Sequence, residues 1–395
     1  MPIQGNSSGY NRPEGGWRYI FKGLKTNESA DEIPETKYPY VANVRDVSES
    51  LQTRPGYSQL FTTIPTGCHE LNWTISTSSI VTGWENLSYS PELDRLISMW
   101  FLGLTPKWIT SDDQGDTWDA HTGIAFGPIY LAVCWAAALS LFVAVGVSDA
   151  IATSPDGDTF TPQTPPGDSL SWNAICYSPD LNLLVAVSAD GVDNSVMTSG
   201  DGGTTWVSRS MPTGTTTHYW KSVIWIAAFN LFVAVGGSDS GDEQAATSPD
   251  GVTWTLQAPP NPSGLNNWAS VIYSPELHLL VAVGQAGTLS ESGTMSSADG
   301  VTWILGTSII SADDPVVYLG VCWSTAMNLF VAVGLDDGSG NSLLTHSSDG
   351  LTFTIDTSPT ASGMYAVVSI PGVERVVAVG DNEEDEGQLV GVCAD

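Results

Sequence analysis

Four kinds of short apolar run recur along the chain, each bounded by Gly, Pro, Asn or Asp. The first alternates apolar and polar positions, as in residues 268–273 (WASVIY), whereas the second, as in 279–284 (LLVAVG), is almost wholly apolar. A third run leads into a Ser-x-Asp-Gly turn, and a fourth begins with Thr-Trp or Thr-Phe. Runs of about four to eight residues with these boundaries are typical of β-strands joined by tight turns. The pattern predicts an all-β chain.

The four runs form a unit that repeats every 42 to 50 residues, counted between the aromatic residues that begin successive units. Those residues are Trp84, Tyr130, Trp172, Trp220, Trp268, Tyr318 and Tyr365. Self-similarity at this period, with four antiparallel strands per unit, is typical of the blades of a β-propeller.

The ends of the chain predict how the ring closes. Six units end in a complete fourth strand, at Trp118, Phe160, Trp206, Trp254, Trp303 and Phe353, whereas the seventh ends after its third strand. Residues 71–75 (LNWTI) resemble the missing strand. We therefore expect a seven-bladed β-propeller of four-stranded antiparallel blades over residues 71–395, in which residues 71–77 complete the last blade. Closure would remove two open sheet edges. Residues 1–70 are expected to form an irregular extension.

Composition excludes several classes of protein. The 395 residues include 40 Gly, 23 Pro and 15 Trp, which disfavours an all-helical fold. The 42% of hydrophobic residues disfavour intrinsic disorder. With 12 basic against 43 acidic residues, the net charge of −31 disfavours sequence-specific nucleic-acid binding, because a polyanion is repelled.

The negative charge belongs to the repeats. Residues 1–70 carry seven basic and eight acidic residues, whereas residues 71–395 carry five basic and 35 acidic ones. Many of these acids follow second strands, in loops that would share the rim opposite the turns. A solvated surface, a wall that repels DNA and weak capture of Ca²⁺ are three interpretations of that rim. The acids are Asp190, Asp193, Asp239, Asp242, Glu243, Asp336, Asp337, Asp381, Glu383, Glu384, Asp385 and Glu386.

The turn between the third and fourth strands has a recurrent sequence. Residues 111–118 and 199–206 match S-x-D-x-G-x-T-W, and four further turns are one residue shorter. This pattern resembles the Asp-box, the repeat of bacterial neuraminidases. Ser and Asp side chains can bind the turn backbone, and Gly supplies a positive φ, so a structural role is favoured over metal binding or catalysis. The turn residues are Ser111, Asp113, Gly115, Trp118, Ser154, Asp156, Gly157, Ser199, Asp201, Gly203, Trp206, Ser248, Asp250, Gly251, Trp254, Ser297, Asp299, Gly300, Trp303, Ser347, Asp349 and Gly350.

The resemblance raises sialidase activity as a hypothesis. Sialidases hold the substrate carboxylate with three converging arginines, since the guanidinium fork matches a carboxylate. After residue 70 the arginines are Arg95, Arg209 and Arg375. Two are expected on the turn side of their blades and one on an outermost strand, so convergence near the axis is not expected.

Other catalytic constellations are missing from the sequence. The histidines (His69, His121, His218, His278 and His346) lack metal-ligand spacing, and the five cysteines include no C-x-x-C pair. Cys134, Cys176 and Cys322 share one repeat position, where an apolar residue is expected. We therefore predict no catalytic, cofactor-binding or metal-binding residues, no cofactor and no enzymatic activity.

The extension contains aromatic patches at residues 17–21 and 38–40. Residues 38–61 resemble N-terminal segments of bacteriophage virion proteins, particularly propeller-bearing hub or nozzle components of short tails. Matching residues are Asn43, Arg45, Leu51, Thr53, Arg54, Pro55 and Gly56. The resemblance implies a docking role, which we assign to Arg45, Arg54, Pro55 and Gly56.

These observations favour a non-enzymatic structural protein of a phage tail, bound to other virion proteins and to further copies of itself. No signal peptide and no apolar run long enough to span a membrane are seen, so synthesis in the host cytoplasm and location in the virion are expected. The alternative is a propeller that recognises a host-surface glycan or protein. An assembly factor resembling those of photosystems is a third hypothesis, but those carry a leader or lipid anchor.

Overall fold

The computed structural model describes residues 71–75, 86–99, 107–122, 129–212, 217–238, 245–260, 267–285, 293–307, 317–336, 342–358, 363–380 and 388–393. Contacts between residues divide the chain into one unit of residues 1–67 and another of residues 68–395. The extension of residues 1–70, with Arg45, Arg54, Pro55 and Gly56, lies outside the described residues.

Six blades, not seven, are built from four consecutive antiparallel strands each. Blade 1 contains β2 (Ser88–Ser90), β3 (Arg95–Met99), β4 (Lys107–Ser111) and β5 (Asp119–Thr122). Blade 2 contains β6 (Tyr130–Ala136), β7 (Leu141–Gly146), β8 (Ile151–Ser154) and β9 (Thr161–Pro162), with 3₁₀ helices at Ala137–Leu139 and Val147–Asp149. Blade 3 contains β10 (Trp172–Ser178), β11 (Leu183–Ser188), β12 (Val196–Ser199) and β13 (Val207–Arg209).

The second half of the chain repeats this order. Blade 4 contains β14 (His218–Ile226), β15 (Leu231–Ser238), β16 (Ala245–Ser248) and β17 (Thr255–Gln257). Blade 5 contains β18 (Asn267–Ser274), β19 (Leu279–Gln285), β20 (Thr294–Ser297) and β21 (Trp303–Leu305). Blade 6 contains β22 (Tyr318–Ser324), β23 (Leu329–Asp336), β24 (Ser342–Ser347) and β25 (Thr354–Ile355). A β-propeller of four-stranded antiparallel blades, as the repeat predicts, is confirmed.

One further four-stranded sheet is composite, because it joins the two ends of the described chain. Strands β26 (Met364–Ser369), β27 (Arg375–Gly380) and β28 (Gln388–Cys393) are followed, across the sheet, by β1 (Leu71–Ile75). The antiparallel register runs from Leu71 opposite Cys393 to Ile75 opposite Leu389. The sequence places the completing strand at this same segment.

Each junction between neighbouring sheets holds one apolar cluster. Val185 and Val187 of blade 3, for example, pack against Trp220, Phe232 and Trp254 of blade 4. Second strands are mostly apolar, and their central residues contribute side chains to the clusters on both faces of their blade, which is sheet-on-sheet packing.

The composite sheet takes part in two such clusters. On one face Leu71 and Trp73 pack with Val331 and Val333 of blade 6. On the other face Val377 packs with residues of blade 1, including Leu96. The sheets therefore follow one another in a closed circle.

The composite sheet corrects one sequence alignment. Met364, not Tyr365, takes the place of the large aromatic residue, because Met364 lies opposite Gly380 as Trp268 lies opposite Gly284. Met364 is buried, and Tyr365 falls in the register shift that follows it. The position requires an apolar side chain between sheets, and methionine fills that space as an aromatic ring does.

Within the described residues, no helix has the length and hydropathy that crossing a bilayer requires.

We expect Trp73→Ala to lower the free energy of unfolding by about 3–5 kcal/mol, the usual cost of truncating a buried tryptophan. The side chain is only 7% exposed and belongs to the cluster shared with blade 6. Urea titration monitored by far-ultraviolet circular dichroism measures the change. The exposed Leu93→Ala serves as the control and should shift stability by less than about 0.5 kcal/mol. Equal midpoints for the two variants would show that β1 does not hold the composite sheet.

Candidate functional site: the Ser-Asp-Gly turns and their rim

The turns between third and fourth strands, which we call the Ser-Asp-Gly turns, share one hydrogen-bond pattern. In blade 1 the Ser111 hydroxyl donates to Asp113 at 2.8 Å and accepts the N–H of Gly115 at 2.8 Å. The Asp113 carboxylate also accepts the N–H and the hydroxyl of Thr117, at 2.8 and 2.5 Å. One serine and one aspartate thus satisfy the backbone of the turn.

The shorter turns preserve this pattern with one residue fewer. In blade 4, Ser248 donates to Asp250 at 3.0 Å, and the N–H groups of Val252 and Thr253 donate to the same Asp250 oxygen at 2.8 and 2.6 Å. One carboxylate oxygen therefore accepts three hydrogen bonds from the turn to which it belongs. This arrangement gives the aspartate a structural role in the turn.

The aromatic residue after each turn anchors it to the blade. The Trp254 indole N–H donates to the carbonyl of Gly251 at 3.2 Å, and Trp118, Trp206 and Trp303 donate to the equivalent glycines. These tryptophans are buried at the junctions between blades. In blades 2 and 6 phenylalanine packs in this place without the hydrogen bond.

The turn glycine rests on the preceding blade. Gly350 of blade 6 has φ of +70°, and a Cβ there would lie 2.6 Å from Val281 and 2.8 Å from Leu279 of blade 5. Gly251 of blade 4 is placed in the same way on Leu183 of blade 3, at 2.9 Å. Glycine is required both by the backbone conformation and by this close approach.

Two of the three arginines use the same contact. Arg95 replaces the leucine that begins a second strand, and its guanidinium group donates to Asp112 of its own blade at 2.6 and 2.7 Å. It also donates to Asp158, at 2.9 Å, and to the carbonyl of Asp156, at 2.6 Å, both in blade 2. The hydrogen bonds from Arg95 lower the pKa of Asp112 below its ordinary value.

Arg375 makes the same kind of contact from the composite sheet, whereas Arg209 binds within its own blade. Arg375 of the composite sheet donates to Asp116 of blade 1 at 3.0 Å, and Arg209 donates to Thr198 within blade 3 at 3.1 Å. The three guanidinium groups thus bind protein groups in different sheets.

Blades alternate in one hydrogen bond that the sequence repeat does not predict. Trp135 of blade 2 donates its indole N–H to Glu92 of blade 1 at 2.6 Å. The same bond joins Trp225 to Asp180 at 2.8 Å, and Trp323 to Glu276 at 2.7 Å. Blades 2, 4 and 6 are therefore each latched to the blade before them by a charge-assisted hydrogen bond.

Blades 1, 3 and 5 carry tyrosine at this position. Its hydroxyl bonds within the blade, as Tyr89 donates to Asp94 at 2.6 Å and Tyr177 to Asn182 at 2.9 Å. The sequence signal is the alternation of Y-S-P-E/D-L with tryptophan-bearing hairpins. Leu93, Leu181 and Leu277 of these hairpins are exposed.

Histidines and cysteines do not assemble into a site within the described part of the chain, where no three His, Cys, Asp or Glu side chains are grouped as metal ligands would be. His121 bonds to Thr110 at 2.7 Å, and His346 to Asp356 at 2.7 Å. Burial raises the pKa of the Cys134 thiol to about 12, so it is not a thiolate nucleophile at neutral pH.

Among the acids assigned to the predicted rim, those with described side chains are Asp190 and Asp193 of blade 3. Asp190 accepts the N–H of Ser171 and the hydroxyl of Ser188, so it organises its own loop. Asp193 accepts the N–H of Met211 through its carbonyl at 2.8 Å. The side chain of Asp336 lies outside the described residues. So do the remaining acids of this predicted rim: Asp239, Asp242, Glu243, Asp337, Asp381, Glu383, Glu384, Asp385 and Glu386.

Comparisons with known proteins place the fold among β-propellers. No protein-family model and no curated protein matches the chain. Among solved structures, "YCF48 bound to D1 peptide" is 15% identical with a TM-score of 0.57, over 83% of this chain and 96% of that one. Virginiamycin B lyase from Staphylococcus aureus is 8% identical with a TM-score of 0.64, over 82% and 99%. The Cps50 (Swd1) propeller of Myceliophteria thermophila is 10% identical with a TM-score of 0.56, over 82% and 100%. At these identities the likeness shows the fold alone.

Gly350→Ala should lower the free energy of unfolding by about 1–3 kcal/mol, because alanine is strained at positive φ and its Cβ would displace Val281. Two control variants separate the cost of the positive φ from the cost of the close contact. Gly372→Ala has positive φ but nothing within 4 Å, and Gly200→Ala has neither constraint. Urea titration should rank the losses Gly350 above Gly372 above Gly200. A Gly350→Ala chain as stable as Gly200→Ala would contradict the role assigned to the turn.

The turn aspartates should stabilise the fold above their unfolded pKa. The N–H of Thr302 lowers the pKa of Asp299, and the Val301 N–H and Ser297 hydroxyl act in the same direction against partial desolvation. A depressed pKa contributes stability that is present above the unfolded value, near 3.8, and that is lost as pH falls through the folded value.

We therefore expect the original chain to exceed Asp299→Asn in stability at pH 6, by at most about 1 kcal/mol for so exposed a carboxylate. The difference should begin to shrink as pH falls below about 3.8 and should continue to shrink as pH falls through the lower pKa of the folded chain. Comparing two chains at each pH removes the effect of the large overall charge. A difference that does not change with pH would exclude ionisation as its source.

Proposed function

We propose that the chain is a non-enzymatic structural protein of a bacteriophage virion, a hub, nozzle or adaptor component of the tail that uses the propeller as a rigid scaffold. In this proposal the composite sheet serves as the seventh blade, closed by β1. The observation that carries the scaffold role is the network between blades: turn glycines, latching tryptophans and two bridging arginines all join one sheet to the next.

The Ser-Asp-Gly turns support a structural interpretation of the most regular motif in the sequence. We assign them to the Asp-box type on the pattern of residues 111–118 and 199–206. Asp113 and Asp250 bond to their own turns, and Arg95 and Arg375 bind neighbouring sheets. The groups that a sialidase would use on its substrate thus have other roles here.

The proposed attachment to a tail depends on the extension. Residues 38–61 resemble virion proteins, and Arg45, Arg54, Pro55 and Gly56 are the residues proposed to contact neighbouring tail proteins or further copies of the chain. Synthesis in the host cytoplasm and location in the particle follow from the same proposal.

The alternative is a propeller that binds a host-surface glycan, protein or peptide. One specific observation favours it: the solved relative YCF48 was determined with a bound peptide, on the same fold. The variable segments 211–220 and 258–268 are candidate contact loops.

The scaffold proposal predicts that the chain is found in purified phage particles at a fixed copy number. Mass spectrometry of density-purified particles measures its presence, and negative-stain microscopy with an antibody locates it. A matched lysate fraction without particles is the control. A chain that is absent from particles and monomeric in solution would refute the proposal. Binding of that free chain to host cells or to a glycan array would instead establish the alternative.

A further inference from the structure

The rim formed by the Ser-Asp-Gly turns differs in character around the ring. The residue after the turn glycine is Asp116 in blade 1 and Asp158 in blade 2, and both bind arginine from the preceding sheet. In blades 4, 5 and 6 the same position holds Val252, Val301 and Leu351. One part of the rim is therefore charged and paired, whereas another part presents aliphatic side chains.

Further exposed aliphatic residues lie in the aliphatic part. Leu277 is at the hairpin tip of blade 5, and Ile304 and Ile355 are in the outermost strands that follow the turns of blades 5 and 6. We call the set of Val252, Leu277, Val301, Ile304, Leu351 and Ile355 the apolar arc. All but the half-buried Leu351 are between 41% and 53% exposed.

Contacts between blades place the turns of the arc against the hairpins of the preceding blades. The glycine before Leu351 rests on Leu279, which is two residues after Leu277, so the turn of blade 6 and the hairpin of blade 5 meet. Similarly, a Cβ placed on Gly300, the residue before Val301, would lie 3.5 Å from Leu231 of blade 4. The arc thus extends across three consecutive blades. Single exposed apolar residues need no explanation, but grouped ones mark interaction surfaces.

The charge of the arc indicates the kind of partner. Its turns and hairpin, residues 248–254, 274–279, 297–304 and 347–355, contain Asp250, Glu276, Asp299 and Asp349 and no Lys or Arg. The turn N–H groups hold the pKa of Asp250, Asp299 and Asp349 below the ordinary value, against partial desolvation, so these carboxylates stay ionised. A second copy docked here would bring like charge against like charge. A basic partner would be attracted.

We propose that the apolar arc is a docking site for a segment of another protein that carries aliphatic side chains flanked by lysine or arginine. The aliphatic side chains would cover Val252, Leu277 and Val301, and the basic groups would lie over the surrounding carboxylates. This proposal does not depend on the chain being a virion protein, since it concerns the surface of the propeller alone.

The test uses the full chain and a fluorescent peptide of about 18 residues, made of leucine and lysine with the leucines on one helical face. A peptide with serine in place of leucine is the matched probe. We expect the leucine probe to bind, measured by fluorescence anisotropy, and the serine probe to bind at least about tenfold more weakly, since burial of aliphatic anchors dominates interface affinity.

The variant Val252→Ser/Leu277→Ser/Val301→Ser should weaken binding of the leucine probe by about tenfold or more. The control Leu93→Ser/Val192→Ser removes exposed apolar residues outside the arc and should leave the affinity within about twofold. Circular dichroism verifies that both variants are folded, as expected for exposed positions.

Three results would overturn the proposal. One is equal binding of the leucine and serine probes, which would indicate charge attraction alone. Another is an equal loss in the arc variant and the control. The third is a dimer in sedimentation velocity that the arc variant abolishes, which would identify a second copy as the occupant.

Discussion

The structure depends on one contact, in which the glycine of a Ser-Asp-Gly turn rests on the side chain that begins the second strand of the preceding sheet. Leu183 under Gly251 and Leu279 under Gly350 are examples. The contact joins local and long-range order, because the same glycine completes its own turn and touches the neighbouring sheet. The serine and aspartate set the turn, and the apolar cluster beneath it then fixes the spacing between sheets.

Variation around the ring follows from this contact. Where a leucine begins the second strand, the turn above it can carry an aliphatic residue such as Val252 or Val301. Where Arg95 and Arg375 take that place, the turn above supplies aspartate at positions 158 and 116. These junctions therefore pair like chemistry across two blades. The charged junctions lie on either side of blade 1, and the apolar ones accumulate in blades 4–6, so the two parts of the rim offer different surfaces.

The sequence was sufficient for the features that repeat and insufficient for those that alternate. Strand type, the four-stranded unit and the segment that completes the composite sheet follow from local pattern, since period and turn chemistry are properties of short stretches. The bond from Trp135 to Glu92 joins residues in different blades, so no single unit reveals it. The prediction that Tyr365 begins the last unit is wrong for a related reason. The repeat of aromatic residues favours Tyr365, whereas the packing selects any large apolar side chain. The exposure of Val301 likewise depends on which residues surround it in three dimensions.

The pairing of β1 with β28 has a mechanical consequence. Whatever holds residues before Leu71 transmits its pull to β1 first, and β1 is anchored by hydrogen bonds to a strand more than 300 positions away in the chain. A load applied at that end reaches the ring through β1, the strand that completes the composite sheet. The hydrogen bonds at this one sheet edge are therefore the first in the ring to bear such a load.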